Sequence, residues 1–206
     1  MFSRLFVLIV TLSVALLSAP ATLAATILVY GDSLSAGYGL SRGEDWAHLL
    51  ALRLQEKKPD YKVVNASISG ETTLGGVKRI DDTLRAHKPD LVILALGAND
   101  GLRGADLTVM RNNLERIIAA ARRTNARVML VGMRIPPNYG PSYTEKFQQV
   151  FNEVAKSKRV VLVPFLLDGF ADRREYFQAD NLHPTAGAQP LILETIWKSL
   201  APLLKK

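Results

Sequence analysis

The sequence contains no cysteine. That excludes a disulfide framework, a thiolate metal site, a cysteine nucleophile and a lipidated cysteine anchor. It leaves the redox compartment open. Histidine is scarce too, with only His48, His87 and His183 in 206 residues. Any histidine general base must come from that short set. Acidic residues are in the minority: Lys and Arg number 26 against 19 Asp and Glu, a formal charge of +7. Such a surplus draws in anionic partners when it is gathered on one surface. Here the basic residues are scattered, and pairs such as Arg122-Arg123 and Arg173-Arg174 sit among acidic ones. No basic run with interleaved aromatics occurs, so a nucleic-acid partner is not expected. Repeats, low-complexity stretches and composition breaks are missing as well. The length fits one domain able to bury a real core.

Long apolar runs are absent except at the N-terminus. Arg4 precedes an apolar stretch from Leu5 to Leu17, and small residues follow in Ser18-Ala19-Pro20-Ala21-Thr22-Leu23-Ala24-Ala25. A positive start, a short apolar middle and a small-residue end form a secretory signal peptide. The apolar run falls short of the ~20 residues of a spanning helix, which argues against an uncleaved anchor. The expectation is removal of residues 1–24, a mature chain from 25 to 206, and a periplasmic or secreted location.

The remainder alternates between two patterns. Short apolar runs at Thr26–Tyr30, Tyr61–Val64, Leu91–Leu96, Val128–Val131 and Val160–Val163 suit strands buried on both faces. Between and after them, Trp46–Leu54, Leu107–Ala121, Phe147–Ala155 and Pro190–Leu203 carry apolar residues three and four apart, as amphipathic helices do. Alternation of this kind predicts a three-layer α/β/α domain with a five-stranded parallel sheet of the flavodoxin-like type. Ligands in such sheets bind beyond the carboxyl ends of the strands.

Four short segments fall near that edge or in loops adjoining it. Gly31-Asp32-Ser33-Leu34 follows the first strand, and Ser33 there is either a nucleophile on a tight turn or an ordinary helix cap. Asn65-Ala66-Ser67-Ile68-Ser69-Gly70 follows the second, where Gly70 either brings a backbone N–H close to a ligand or simply turns the chain. Gly97-Ala98-Asn99-Asp100 follows the third, and Asn99 either donates to an oxyanion or caps the next helix. Asp180-Asn181-Leu182-His183 places a carboxylate three residues before a histidine. A serine hydroxyl needs a base near neutral pH, and the base needs a carboxylate to fix its tautomer. Each segment is ordinary alone, but the set meets every requirement of acyl transfer. His48, in an amphipathic helix, and His87, in a polar Ala-His-Lys-Pro loop, are read as structural or surface residues.

These four segments, in this order, resemble the blocks of the SGNH (GDSL) hydrolases. Pro137-Asn138-Tyr139-Gly140 and Gly101-Leu102-Arg103-Gly104 extend the likeness to the multifunctional periplasmic thioesterase, arylesterase and lysophospholipase branch. The resemblance implies a catalytic set of Ser33, Asp180 and His183. It implies an oxyanion hole of the Ser33 and Gly70 N–H groups and the Asn99 side chain, with no metal and no cofactor. It gives Asp32 a structural role in the turn. It sets Met133–Gly140 beside an acyl groove, where a proline-stiffened structural loop is the alternative. A small acyl ester or thioester is the implied substrate, with transient contact to membrane lipids and a monomeric state. Two departures stand out: Ala98 where a second glycine is common, and Asn181-Leu182 where Gly-Ile is common. A carbohydrate O-acetyl esterase or acyltransferase on the same site, or a non-catalytic periplasmic binding protein on the same fold, are the rival readings.

Overall fold

A computed structural model describes residues 24–204, so the expected leader lies outside the described residues except for its last position. In chain order the elements are β1 (Ala25–Gly31), α1 (Ser33–Ala36), α2 (Trp46–Lys57), β2 (Tyr61–Asn65), α3 (Thr73–His87), β3 (Leu91–Ala95), α4 (Ala98–Leu102), α5 (Leu107–Arg123), β4 (Arg127–Val131), α6 (Pro141–Lys158), β5 (Val161–Val163) and α7 (Gln189–Leu200). All five strands pair in parallel, in the order β2-β1-β3-β4-β5. This is the expected flavodoxin-like sheet.

The central strands β1, β3 and β4 are buried on both faces, which is why they read as nearly unbroken apolar runs, while the edge strands β2 and β5 are partly exposed. Successive side chains point to opposite faces. Ile27, Val29, Leu91, Ile93, Met129 and Val131 therefore pack with Trp46, Leu50 and Leu54 of α2 and Ile192, Ile196 and Leu200 of α7. Leu28, Tyr30, Val92, Leu94, Val128 and Leu130 pack with Ile80 and Leu84 of α3, Leu114 and Ile117 of α5, and Phe147 and Phe151 of α6. Side-chain caps set several helix starts. Asp45 accepts from the His48 N–H at 3.0 Å, and Asp106 from the Thr108 N–H at 2.7 Å.

Three helices go beyond the sequence expectation, the short α1 and α4 and the long α3. Residues 73–87, not predicted as helical, form α3, which Thr72 caps and which ends at Lys88 in the left-handed region. His87 thus closes a helix and does not sit in a loop. The structure also extends the third predicted helix, Phe147–Ala155, to Pro141–Lys158.

The order of the strands fixes where a site can form. β1 has β2 on one side and β3 on the other. Chains leaving the carboxyl ends of β1 and β3 diverge there and open a crevice. The segments carrying Ser33 and Asn99 start at that crevice.

Candidate active site

β1 ends at Gly31, and a short helix begins two residues later. Asp32 is the N-cap of α1, and its side chain accepts from the Leu34 N–H at 3.0 Å. Ser33 is the first residue of that helix, and Gly37 ends it in the left-handed region. Buried bonds pin the turn: the Trp46 indole donates to the Leu34 carbonyl at 3.2 Å and Asn65 to the Ser35 carbonyl at 2.7 Å. Ser33 remains half-buried, with its hydroxyl at the cleft.

Asp32 is itself almost fully buried. Burial, reinforced by the negative charge of Asp100, pushes its carboxyl from 3.8 to about 7. The bond from the Leu34 N–H pulls the other way, and burial outweighs it. A carboxyl raised in the fold stabilises it most below its unfolded value of 3.8, and that contribution is lost as pH rises through about 7. Asp32→Asn keeps the acceptor oxygen and removes the titration. Thermal melting of this variant should fall less steeply than wild type as pH rises from about 4 to about 8. An unchanged slope would contradict the assignment.

The loop after β2 brings Gly70 to the cleft with φ +77. A Cβ there would meet nothing within 4 Å, so the backbone angle, and not space, calls for glycine. Arg79 braces this loop from beneath. It bonds Glu71 at 2.6 Å and the Ala66 carbonyl at 2.8 Å, while its guanidinium lies 4.0 Å from the Tyr30 ring centre.

Asn99 sits in α4, after Gly97 at φ 120. Its Nδ2 donates to the Glu71 carbonyl at 3.0 Å, which ties α4 to the Gly70 loop. An amide nitrogen carries two hydrogens, so one donor remains beyond that bond. Next to it, buried Asp100 accepts from the Thr73 N–H at 2.9 Å and the Thr73 hydroxyl at 2.6 Å. Asn113 donates to the same hydroxyl at 3.2 Å, so α3, α4 and α5 are locked together under Asn99. Ala98, one of the two departures, is absent from the positive-φ positions, so its methyl costs no backbone strain.

His183 comes from a loop more than a hundred residues away in sequence, yet its Nε2 lies 2.9 Å from the Ser33 Oγ. Its Nδ1 lies 2.7 Å from the Asp180 Oδ2. The other Asp180 oxygen accepts from the Leu182 N–H at 2.9 Å and the His183 N–H at 3.0 Å. Those backbone donors, with the His183 ring, hold the Asp180 carboxyl down at about 2. Asn181 occupies the left-handed region at φ 57. Asparagine tolerates that region, which explains how the second departure is accommodated where glycine is common.

Ser33, Gly70, Asn99 and His183 line one cleft of about 280 Å³, with Asp180 behind His183. Leu34, Leu102, Met133, Ile135, Pro136 and Leu182 supply its apolar wall. The Met133–Gly140 segment thus reaches the cleft, and Tyr139 anchors it by donating to the Leu102 carbonyl at 2.8 Å. His48 and His87 lie outside the lining. Sequence reading missed Tyr38, whose ring centre lies 4.4 Å from that of His183, and Gln178. The Gly37-Tyr38-Gly39 string was the available signal.

A Ser-His-Asp array at the switch point of a doubly wound sheet has the geometry that hydrolases acting through a nucleophile use. Comparison with known proteins agrees. The model of the GDSL-like lipase/acylhydrolase family matches residues 29–189, and the chain belongs to that family. It is 46% identical over 181 residues to Esterase TesA of Pseudomonas aeruginosa, covering 88% of this chain and 90% of that one. It is 39% identical over 189 residues to the thioesterase 1/protease 1/lysophospholipase L1 of Escherichia coli strain K12, covering 92% and 89%. A crystal structure of TesA superposes with a TM-score of 0.85 at 46% identity, covering 87% of this chain and 99% of that one. The protein is an ester-bond hydrolase.

Proposed function

We propose that the protein hydrolyses carboxylic esters and acyl thioesters in two steps through Ser33. The observation that carries this is the series Ser33 Oγ, His183 and Asp180, with spacings of 2.9 and 2.7 Å, in a cleft that Gly70 and Asn99 also line. His183 Nε2 takes the hydroxyl proton as Ser33 Oγ bonds to the acyl carbon. Asp180 holds the ring so that Nδ1 carries its hydrogen and Nε2 is the acceptor. The carbonyl oxygen becomes an oxyanion, held by the N–H groups of Ser33 and Gly70 and by Asn99. Its collapse breaks the bond to the leaving oxygen or sulfur, which departs with the proton from His183. Water then repeats the sequence on the acyl-enzyme, releasing the acid and restoring Ser33.

Apolar lining beside these groups suits a fatty acyl chain, which favours esters of medium chains over acetyl esters. The name of the Escherichia coli relative, thioesterase 1/protease 1/lysophospholipase L1, supports thioesters and lysophospholipids as substrates. The leader pattern supports export, with residues 25–206 acting as one monomeric domain that meets membrane lipids transiently. No helix among the described residues is long and apolar enough to cross a membrane. A panel of p-nitrophenyl esters from acetyl to dodecanoyl tests the reading. Activity should rise from acetyl to the medium chains. Hydrolysis confined to the acetyl ester would overturn it in favour of an O-acetyl esterase.

A further inference from the structure

Asp180 and His183 belong to one loop, so the bond between them cannot hold that loop against Ser33. The loop's own backbone bonds are internal too. The Gln178 N–H donates to the His183 carbonyl at 2.8 Å, and the Thr185 N–H to the Tyr176 carbonyl at 2.8 Å. Among the described residues, two hydrogen bonds join segment 31–40 to loop 176–185. One is the Ser33–His183 contact. The other runs from the Gln178 Nε2 to the Tyr38 carbonyl at 2.8 Å. The same nitrogen donates to the Pro184 carbonyl at 3.0 Å. One side-chain amide thus spends both hydrogens on two carbonyls, one from each side of the Ser33–His183 contact.

Gly39 makes room for this bridge. A Cβ at Gly39 would stand 2.1 Å from the Gln178 Oε1, and its φ of +73 already favours glycine. Tyr38 is held twice, its carbonyl by Gln178 and its ring against His183 with centres 4.4 Å apart. Proton transfer needs the two atoms within hydrogen-bond reach, and a shift of about 1 Å can cost on the order of 100-fold in rate.

We propose that Gln178 is a positioning residue that clamps the His183 loop to the turn bearing Ser33. The inference rests on the roles of Ser33 and His183 given above. The test measures kcat and KM for p-nitrophenyl butyrate with wild type, Gln178→Met, Gln178→Asn and Gly39→Ala. Rates are referred to the sites that a fluorophosphonate titrates at its end point, so unfolded protein is not counted. Methionine keeps the length and loses both donors, asparagine is one carbon short of the two carbonyls, and the alanine methyl displaces the amide. All three should lose on the order of 10-fold or more in kcat, with KM within about twofold. Unchanged kcat per titrated site in the Gln178 variants would overturn the clamp and leave the Ser33 reading intact. Failure of the wild type to react with the fluorophosphonate would overturn the Ser33 reading itself.

Discussion

Ser33→Ala is expected to lower ester hydrolysis by on the order of 10⁴-fold or more while the protein stays folded. In the proposed mechanism the first bond forms at Ser33 Oγ, and among the described residues no other hydroxyl is bonded to His183 Nε2. The structural cost is small because the turn is held by other groups. Asp32 accepts from Leu34, Trp46 from α2 holds the Leu34 carbonyl, and Asn65 holds that of Ser35. None of these bonds uses the Ser33 hydroxyl. Loss of one oxygen from a half-buried side chain opens no core cavity, so the stability change should stay within about 0.5 kcal/mol. Activity of the purified variant, measured beside its thermal melt, checks both halves. Near-wild-type turnover would remove Ser33 from the mechanism.

Asp180→Asn is expected to cost a comparable factor, on the order of 10⁴ in kcat, by a different route. The amide oxygen can still accept from the Leu182 and His183 N–H groups, so the loop should keep its shape. Its nitrogen would then face His183 Nδ1 as a donor. The ring must respond by carrying its hydrogen on Nε2, where it can no longer take the Ser33 proton. The pH profile adds a second check. In the wild type Asp180 is ionised until pH falls toward about 2. A carboxyl lowered in this way stabilises the fold above its unfolded value of 3.8, a contribution lost as pH falls through about 2. An acid limb of the rate above pH ~4 therefore does not report Asp180. A modest loss in Asp180→Asn would show that the carboxylate is dispensable for the tautomer.

Most of the sheet was legible because burial on both faces leaves no polar residue to interrupt a strand. β1, β3 and β4 read as runs for that reason. α5 was equally plain, since Met110, Leu114, Ile117 and Ala121 mark one buried stripe. α3 escaped because its buried face is Thr73, Gly76, Ile80 and Leu84. The spacing is helical, but half of that face is small or polar. Its glycine is there for closeness: a Cβ at Gly76 would lie 2.6 Å from Leu96 and 3.2 Å from Ile117. A helix that packs through a glycine leaves a weak apolar signature.

The candidate site was legible in a different way. Strand ends and short-range spacing bring out the segments that hold Ser33, Gly70, Asn99, Asp180 and His183, and the family resemblance supplies their roles. Asp180 and His183 are three residues apart, and the turn between them is closed by the Leu182 and His183 N–H groups donating to the Asp180 carboxylate. Gln178 had no such mark and Tyr38 only its flanking glycines, because their bond spans 140 residues and exists only once the two loops meet. The raised carboxyl of Asp32 was hidden for the same reason, since it depends on burial and on Asp100 from another strand end.

Mass spectrometry after reaction with a fluorophosphonate reads out whether Ser33 is a nucleophile activated by His183. The wild type should gain one phosphonyl group, located on the peptide containing Ser33. His183→Ala should gain it far more slowly, and Ser33→Ala not at all. A wild type that stays unmodified, or carries the group on another residue, would contradict the mechanism.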